Sequence, residues 1–134
     1  MKVVTTSKET ATPGPAEYFT GKVSVKRLVV GEQPSNLTCG SVEFAAGARS
    51  NWHTHPKGQL FIVTNGEGLV QEFGKPIQKI KVGDVVWTPA NVKHWHGAGA
   101  NTSMTHSAVT ETSDGKAVEW LERVTDAEYS KAPK

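Results

Sequence analysis

The sequence has few of the features that mark secreted, membrane-bound or nucleic-acid-binding proteins. It contains one cysteine among 134 residues, which excludes an internal disulfide and favours a reducing cytosol. No apolar run approaches the length of a membrane span, and the first residues do not resemble a secretion signal. The net charge is only +2, and the lysines are dispersed rather than clustered with aromatic residues. We therefore expect a cytoplasmic protein that binds neither membranes nor nucleic acids.

Short apolar stretches separated by turn residues run through the whole chain. Strands are expected from Val23 to Val30, from Leu37 to Phe44, and over residues 103–111 and 117–124. Turn sequences recur about every eight to twelve residues. Two of them, Asn65-Gly66-Glu67-Gly68 and Gly83-Asp84, are expected to close hairpins. This pattern indicates an all-β sandwich or barrel.

The two ends of the chain differ from this pattern. Residues 1–16 are rich in Thr, Pro, Gly and Lys, and we expect them to form a mobile or partner-clasping arm. The remaining residues, 17–134, have the length of a single domain with a real core. Near the other end, Thr125-Asp126-Ala127-Glu128 is a capping-box sequence, which predicts a short C-terminal helix.

The most distinctive segment is residues 47–66, which holds two histidines two positions apart. On an extended strand the imidazoles of His53 and His55 leave the same face. Pro56-Lys57-Gly58 predicts a turn that can return the Gln59 carboxamide to the two rings. Two nitrogens and one oxygen converging from rigid backbone suit a divalent transition ion. The alternative is that the pair is a chance H-x-H and that Gln59 is a solvated surface residue, as most glutamines are.

The other histidines support the metal interpretation. His94-Trp95-His96 repeats the H-x-H pattern, and His106 lies in a further expected strand. All five histidines of the chain therefore lie in strand-like stretches, and none lies in a tail. A random distribution would have placed at least one of them outside the strands.

The spacing in residues 47–66 resembles the first motif of the cupin family. Five residues separate Gly47 from His53, and His55, Gln59 and Gly66 follow at the family's intervals. Gln59 stands where cupins usually have Glu.

A second segment resembles the second cupin motif. It runs from Gly83 through Pro89 to His94, with Asn91 and Ala98 in place of the usual Gly and Asn. The two motifs together cover residues 47–98. The chain as a whole is similar to the small bacterial manganese-dependent cupin hydroxynitrile lyases, in which a Gln occupies the fourth ligand position. The sequences that carry this similarity include Tyr18-Phe19-Thr20-Gly21, Trp52-His53-Thr54-His55-Pro56, His94-Trp95-His96-Gly97 and Met104-Thr105-His106.

This resemblance implies a cupin double-stranded β-helix, which is a jelly-roll barrel. It implies one divalent metal ion per subunit, bound by His53, His55, Gln59 and His94, with Mn(II) expected first and Fe, Ni, Co or Zn as alternatives. The implied activity is the cleavage or formation of cyanohydrins such as mandelonitrile, with the metal as a Lewis acid. The expected partners are a small-molecule substrate and further copies of the chain, in a homodimer or homotetramer.

Candidate catalytic and pocket residues follow from this implied chemistry. We expect His106 to act as the acid/base group and His96 to orient or relay, because histidine titrates near neutrality. The alternative for His96 is that it points at backbone carbonyls behind the site. The resemblance also implies that the Gly40, Val42 and Phe44 face of one strand walls the substrate cavity, together with Thr110. An equal alternative for Gly40 is that it only relieves a packing clash.

Two other function classes stay open from the sequence. One is a metal-dependent oxygenase or another small-molecule cupin enzyme, although Gln59 argues against it because the usual Glu would supply a carboxylate base. The other is a metal- or ligand-binding protein without catalytic activity. The chain has no helix-turn-helix pattern and no added domain through which such a sensor would act.

Overall fold

The computed structural model describes residues 1–134, and its regular secondary structure consists almost entirely of antiparallel β-strands. A 3₁₀ turn at Thr6–Lys8 precedes the strands, and one short helix, α1 (Asp126–Tyr129), follows them. In chain order the strands are β1 (Thr12–Pro13), β2 (Phe19–Thr20), β3 (Val23–Val30), β4 (Leu37–Phe44), β5 (Arg49–Ser50), β6 (His53–Thr54), β7 (Gln59–Glu72), β8 (Gln78–Lys81), β9 (Val85–Thr88), β10 (His94–Ala98), β11 (Met104–Glu111) and β12 (Glu119–Trp120).

The strands form two sheets that share β7. The first sheet has the order β1-β3-β4-β11-β7-β9, and the second contains β8, β7, β10, β5 and β2, with β6 and β12 attached beside β10. Every pairing is antiparallel, and β7 passes from one sheet into the other. The two sheets curl around one interior, which confirms the expected all-β barrel.

The prediction of a hairpin at residues 65–68 was wrong. Strand β7 continues through this segment for 14 residues, so the chain does not reverse there. Gly66 has a φ of +71°, and a Cβ atom at this position would collide with the Ser103 carbonyl oxygen. The glycine therefore lets the strand bend from one sheet to the other where a side chain would block the neighbouring backbone.

Two further turn and strand predictions need correction. Gly83 and Asp84 do not close a hairpin between β8 and β9, because both of these strands pair with β7. The strand expected over residues 117–124 is present only as Glu119–Trp120. A tight turn at Ser113–Lys116 has Asp114 and Gly115 both in the left-handed region.

The C-terminal prediction is also confirmed. Thr125 caps α1 through a full capping box with Glu128. The segment around this helix covers the outer face of the second sheet, where Trp52, Leu69, Ile77, Trp95 and Val124 form a cluster of buried apolar residues. Tyr129 packs against this cluster and donates a 2.6 Å hydrogen bond to the Ala98 carbonyl.

The main core lies between the two sheets and surrounds the inward-facing histidines. It contains Phe19, Val23, Phe44, Ala48, Phe61, Val63, Ile80, Ala98, Met104 and Ala108.

The α1 helix is too short to cross a membrane, and no other helix of the chain is long and apolar enough to do so. Residues 1–13 are exposed apart from the half-buried Val4, and β1 within them adds to the edge of the first sheet beside β3. The division into an arm of residues 1–16 and a domain stays a prediction.

Candidate metal centre

The two H-x-H segments meet inside the barrel. His53 in β6 pairs directly with His94 in β10, and the centres of their rings lie 4.2 Å apart. The ring of His55 lies 5.0 Å from that of His53 and 5.3 Å from that of His94. Side chains alternate along β10, so His94 and His96 point inward while Trp95 points outward and donates a hydrogen bond to Gln71.

Three of these histidines are held in the same way. Nδ1 of His53 donates to the Asn51 carbonyl at 2.9 Å, Nδ1 of His55 to the Ala117 carbonyl at 2.8 Å, and Nδ1 of His94 to the Val92 carbonyl at 2.9 Å. A carbonyl oxygen can only accept, so the proton of each neutral ring resides on Nδ1. The lone pair of each Nε2 is therefore free, as a metal ligand requires.

The Gln59 side chain lies beside His55. Its amide nitrogen donates a 3.0 Å hydrogen bond to the Thr110 hydroxyl, which orients the side chain. The amide oxygen of Gln59 is buried without a hydrogen-bond partner, as is Nε2 of His55 and of His94. Buried polar atoms without partners are rare because they lose their hydration without gaining a compensating hydrogen bond. A divalent cation among these atoms would satisfy all three, so the residues present fit a metal ion.

His96 lies in the same cluster. One ligand nitrogen from each of His53, His94 and His96 falls within 4.8 Å of the others. Nδ1 of His96 is 3.0 Å from Nε2 of His106, and Nε2 of His96 is buried without a partner. His96 does not point at backbone carbonyls, in contrast to His53, His55 and His94. The structure therefore shows three buried histidines that could hold a metal, and it brings His55 and Gln59 close to them.

Burial keeps the whole cluster uncharged. Loss of hydration lowers the pKa of all five histidines, to about 4 for His94 and His106. Neighbouring imidazoles lower the pKa of His53 and His96 further. The rings are consequently neutral at pH 7, and the ligand groups carry no negative charge.

Comparisons with known proteins agree with this geometry. The family profile for the cupin domain matches residues 40–109. The chain belongs to the cupin family. It is 46% identical over 129 residues to (R)-mandelonitrile lyase from Granulicella tundricola, a match that covers 96% of this chain and 98% of the relative. The resemblance to small single-domain cupins expected from the two motifs is thus confirmed.

Solved structures of other cupins support the same fold. A cupin-like protein from Thermotoga maritima has a TM-score of 0.86 and 45% identity, and the match covers 90% of this chain and 92% of that chain. A DMSP lyase from Ruegeria pomeroyi has a TM-score of 0.65 and 17% identity, covering 83% of this chain and 61% of that chain. At the latter identity the likeness concerns the fold alone.

Aromatic rings enclose the inner histidines of this cupin. Phe61 stacks on His106 with ring centres 4.3 Å apart, and Phe44 contacts the rings of both His96 and His106. Trp120 in β12 lies against His53 at 4.9 Å. These apolar neighbours exclude water from the rings, which is the physical cause of the lowered pKa values.

The expected pocket residues lie beside this enclosure. Val42 is paired with His106 across β4 and β11, and Gly40 is paired with Ala108. A Cβ at Gly40 would lie 3.2 Å from the Lys26 carbonyl, so the glycine also relieves a close backbone approach. Thr110 contacts Gln59 rather than standing free. Their role as substrate contacts stays a prediction.

The sequence-based prediction missed the groups that hold the histidines in place. The Ala117 carbonyl that fixes His55 is 62 residues away in the chain, and no motif indicates it. The Asn51 and Val92 carbonyls each lie two residues before the histidine they fix, which is a spacing that could have been noticed. Trp120 could have been found only through its pairing with His53 across β12 and β6.

Proposed function

We propose that this protein is a metal-dependent hydroxynitrile lyase that cleaves cyanohydrins such as mandelonitrile to an aldehyde and hydrogen cyanide, and that catalyses the reverse addition. The observation that carries the proposal is the 46% identity to (R)-mandelonitrile lyase over nearly the full length of both chains. A buried, neutral histidine cluster of the kind described above supplies the chemical setting. By the same relationship we propose that the (R)-enantiomer is the preferred substrate.

We propose His53, His55, His94 and Gln59 as the ligands of one divalent ion per subunit, with Mn(II) first and Fe, Ni, Co or Zn as alternatives. The support is that each of the three histidines has its Nδ1 tied to a main-chain carbonyl, whereas Nδ1 of His96 is tied to His106. When bound, the ion would serve as a Lewis acid toward the substrate hydroxyl oxygen, with its charge undiminished by the neutral ligands.

His96 and His106 are proposed to move the proton. If Nδ1 of His96 donates to Nε2 of His106, then Nε2 of His96 is a free base in the cluster. In contrast to the expected roles, in which His106 was the acid/base group, we therefore propose that His96 takes the hydroxyl proton of the substrate while its own Nδ1 proton passes to His106. The carbon–cyanide bond breaks with its electron pair on cyanide, and the carbonyl double bond of the aldehyde forms. Return of the proton through His96 releases hydrogen cyanide, so the pair ends in its starting state.

The pocket is proposed to form around this histidine pair. Val42 and Phe44 lie beside His106 on the neighbouring strand, and Gly40 leaves space next to them. Thr110 would act at the edge of the pocket through its contact with Gln59. Phe44 and Phe61 keep water from the reacting atoms. We also propose a cytoplasmic location, which the single cysteine supports.

The test is cleavage of racemic mandelonitrile by manganese-loaded protein, with cyanide release measured and the remaining nitrile separated by chiral chromatography. We expect release well above buffer and depletion of one enantiomer. The His53→Ala and His94→Ala variants should lose metal, whereas His106→Ala should keep metal and lose rate. No release above buffer would remove the lyase proposal, and oxygen consumption by the iron-loaded protein would favour an oxygenase instead.

A further inference from the structure

The two sheets leave a cleft between β8 and β9 on one side of the barrel. Both strands pair only with β7, β8 along its second half and β9 along its first half. Because β7 passes from one sheet to the other between these halves, the outer edges of β8 and β9 are not paired with each other. The cleft between them has a volume of about 390 Å³ and reaches His94, one of the proposed metal ligands.

Inward-facing side chains line this cleft. Val70 and Ile80 pack against the main core from the second sheet, and Val86 does so from the first. Thr88 is paired with Gln59, another proposed ligand, across β9 and β7. At about 30 Å³ for each water molecule, an ion with six waters occupies roughly 200 Å³. The cleft is therefore large enough to admit a hydrated divalent ion to the edge of the histidine cluster.

A single carboxylate, that of Glu72, lies beside His94 in this cleft. The two residues are direct cross-strand partners on β7 and β10, so their side chains leave the same face of the sheet. Burial lowers the pKa of His94 to about 4, and the Glu72 carboxylate opposes this shift, so its charge reaches the imidazole. The Glu72 side chain is 39% exposed, whereas Nε2 of His94 is buried without a hydrogen-bond partner. Glu72 is thus accessible to a cation in solvent and adjacent to a ligand that lacks one.

Lys75 occupies the carboxylate in the metal-free protein. Its Nζ lies 2.7 Å from Oε2 of Glu72, and the lysine side chain is 64% exposed. Exposed ion pairs of this kind contribute little stability. A divalent ion carries twice the charge of the ammonium group and can displace it from the carboxylate.

We propose that the metal ion enters the site through the cleft between β8 and β9, and that Glu72 is its first protein ligand on the way to His94. Carboxylate oxygens suit Mn(II), and a negative charge in a cleft raises the rate at which cations arrive. Once the ion has passed to the neutral cluster, Lys75 can pair with Glu72 again. The proposal rests on the proposed metal centre and not on the lyase reaction, so a protein that binds Mn(II) but releases no cyanide would refute only the latter.

Stopped-flow mixing of metal-free protein with Mn(II) at low ionic strength tests this proposal. Tryptophan fluorescence follows uptake, because Trp120 contacts His53. We expect Glu72→Gln to slow uptake by roughly three- to tenfold, and Lys75→Ala to accelerate it about twofold or more, since the competing ammonium group is removed. The matched control is Glu67→Gln, which makes the same change of charge on the same strand but lines a different cleft.

Release of Mn(II) to excess chelator separates an entry ligand from a group that only stabilises the bound ion. An entry ligand also lies on the exit route, so Glu72→Gln should not accelerate release. Unchanged uptake with faster release in Glu72→Gln would assign Glu72 to the bound state alone and overturn the proposal. Equal slowing of uptake by Glu67→Gln would show that only the overall charge matters, and it overturns the proposal too.

The lysine variant gives an independent check, because its expected effect has the opposite sign. Slower uptake in Lys75→Ala than in the wild type would overturn the proposed competition for Glu72. Circular dichroism establishes that each variant is folded, and both substitutions change exposed or half-exposed side chains. A wild type that does not bind Mn(II) at all would overturn this proposal together with the metal centre.

Discussion

The buried histidines make the metal-free protein sensitive to mild acid. His94 and His106 have pKa values lowered from the ordinary 6.5 to about 4 by burial, whereas both return to the ordinary value when the chain unfolds. Between these values the unfolded chain binds more protons than the native protein, so acid favours unfolding. The free energy of unfolding therefore decreases as the pH falls. The decrease begins below about pH 6.5 and is complete near pH 4.

The size of the effect follows from the same shifts. At pH 5 an unfolded histidine is almost fully protonated and a native one with a pKa of about 4 is almost entirely neutral. Each such residue then costs about 2 kcal/mol, because one pKa unit corresponds to about 1.4 kcal/mol. His94 and His106 together lower the free energy of unfolding by about 4 kcal/mol, and the lowered pKa values of His53, His55 and His96 add to this. Such a loss is a large share of the 5–15 kcal/mol that is typical of a domain.

Urea unfolding of metal-free protein at pH 7.5 and pH 5.0 measures this difference. The matched variant is His106→Gln, which cannot take up the proton and should reduce the difference between the two pH values by about 2 kcal/mol whatever its absolute stability. Equal free energies of unfolding at both pH values would show that the rings are not held neutral by burial. An unchanged pH dependence in His106→Gln would show that His106 is not one of the residues responsible.

Two further predictions concern the orientation of Gln59 and the bend of β7. Thr110→Val removes the acceptor of the Gln59 amide, so we expect metal affinity to fall by about 10- to 100-fold, while Thr110→Ser should keep it; equilibrium dialysis with metal analysis measures both. Gly66→Ala should cost more stability than Gly74→Ala, since both positions have positive φ but only Gly66 would collide with the Ser103 carbonyl oxygen. We expect about 1 kcal/mol for Gly74→Ala and at least about 3 kcal/mol for Gly66→Ala in urea unfolding, and equal losses would contradict the packing at the bend.

Local patterns in the sequence were enough for much of the fold. Apolar alternation located β3, β4 and β11, and the capping box located α1, because both signals depend on neighbouring residues only. The spacing of His53, His55, Gln59 and His94 identified the family, since a rigid strand and turn hold such groups at fixed intervals. The predicted hairpin at residues 65–68 was wrong because the conformation there depends on residues that are distant in the chain. Glycine permits both a reversal and a bend, and the choice depends on the Ser103 backbone almost 40 residues away.

The sequence by itself determined which chemical groups are available and that a cupin barrel would gather them. Only the tertiary structure decided how they meet. It placed His96 against His106, gave His55 its tautomer through the Ala117 carbonyl, and oriented Gln59 through Thr110. Each of these contacts joins residues from separate segments of the barrel, and their geometry depends on strand register and burial. No local pattern encodes the register between strands of different sheets. The tautomers of the histidines and the orientation of the Gln59 side chain are therefore fixed only when the barrel closes.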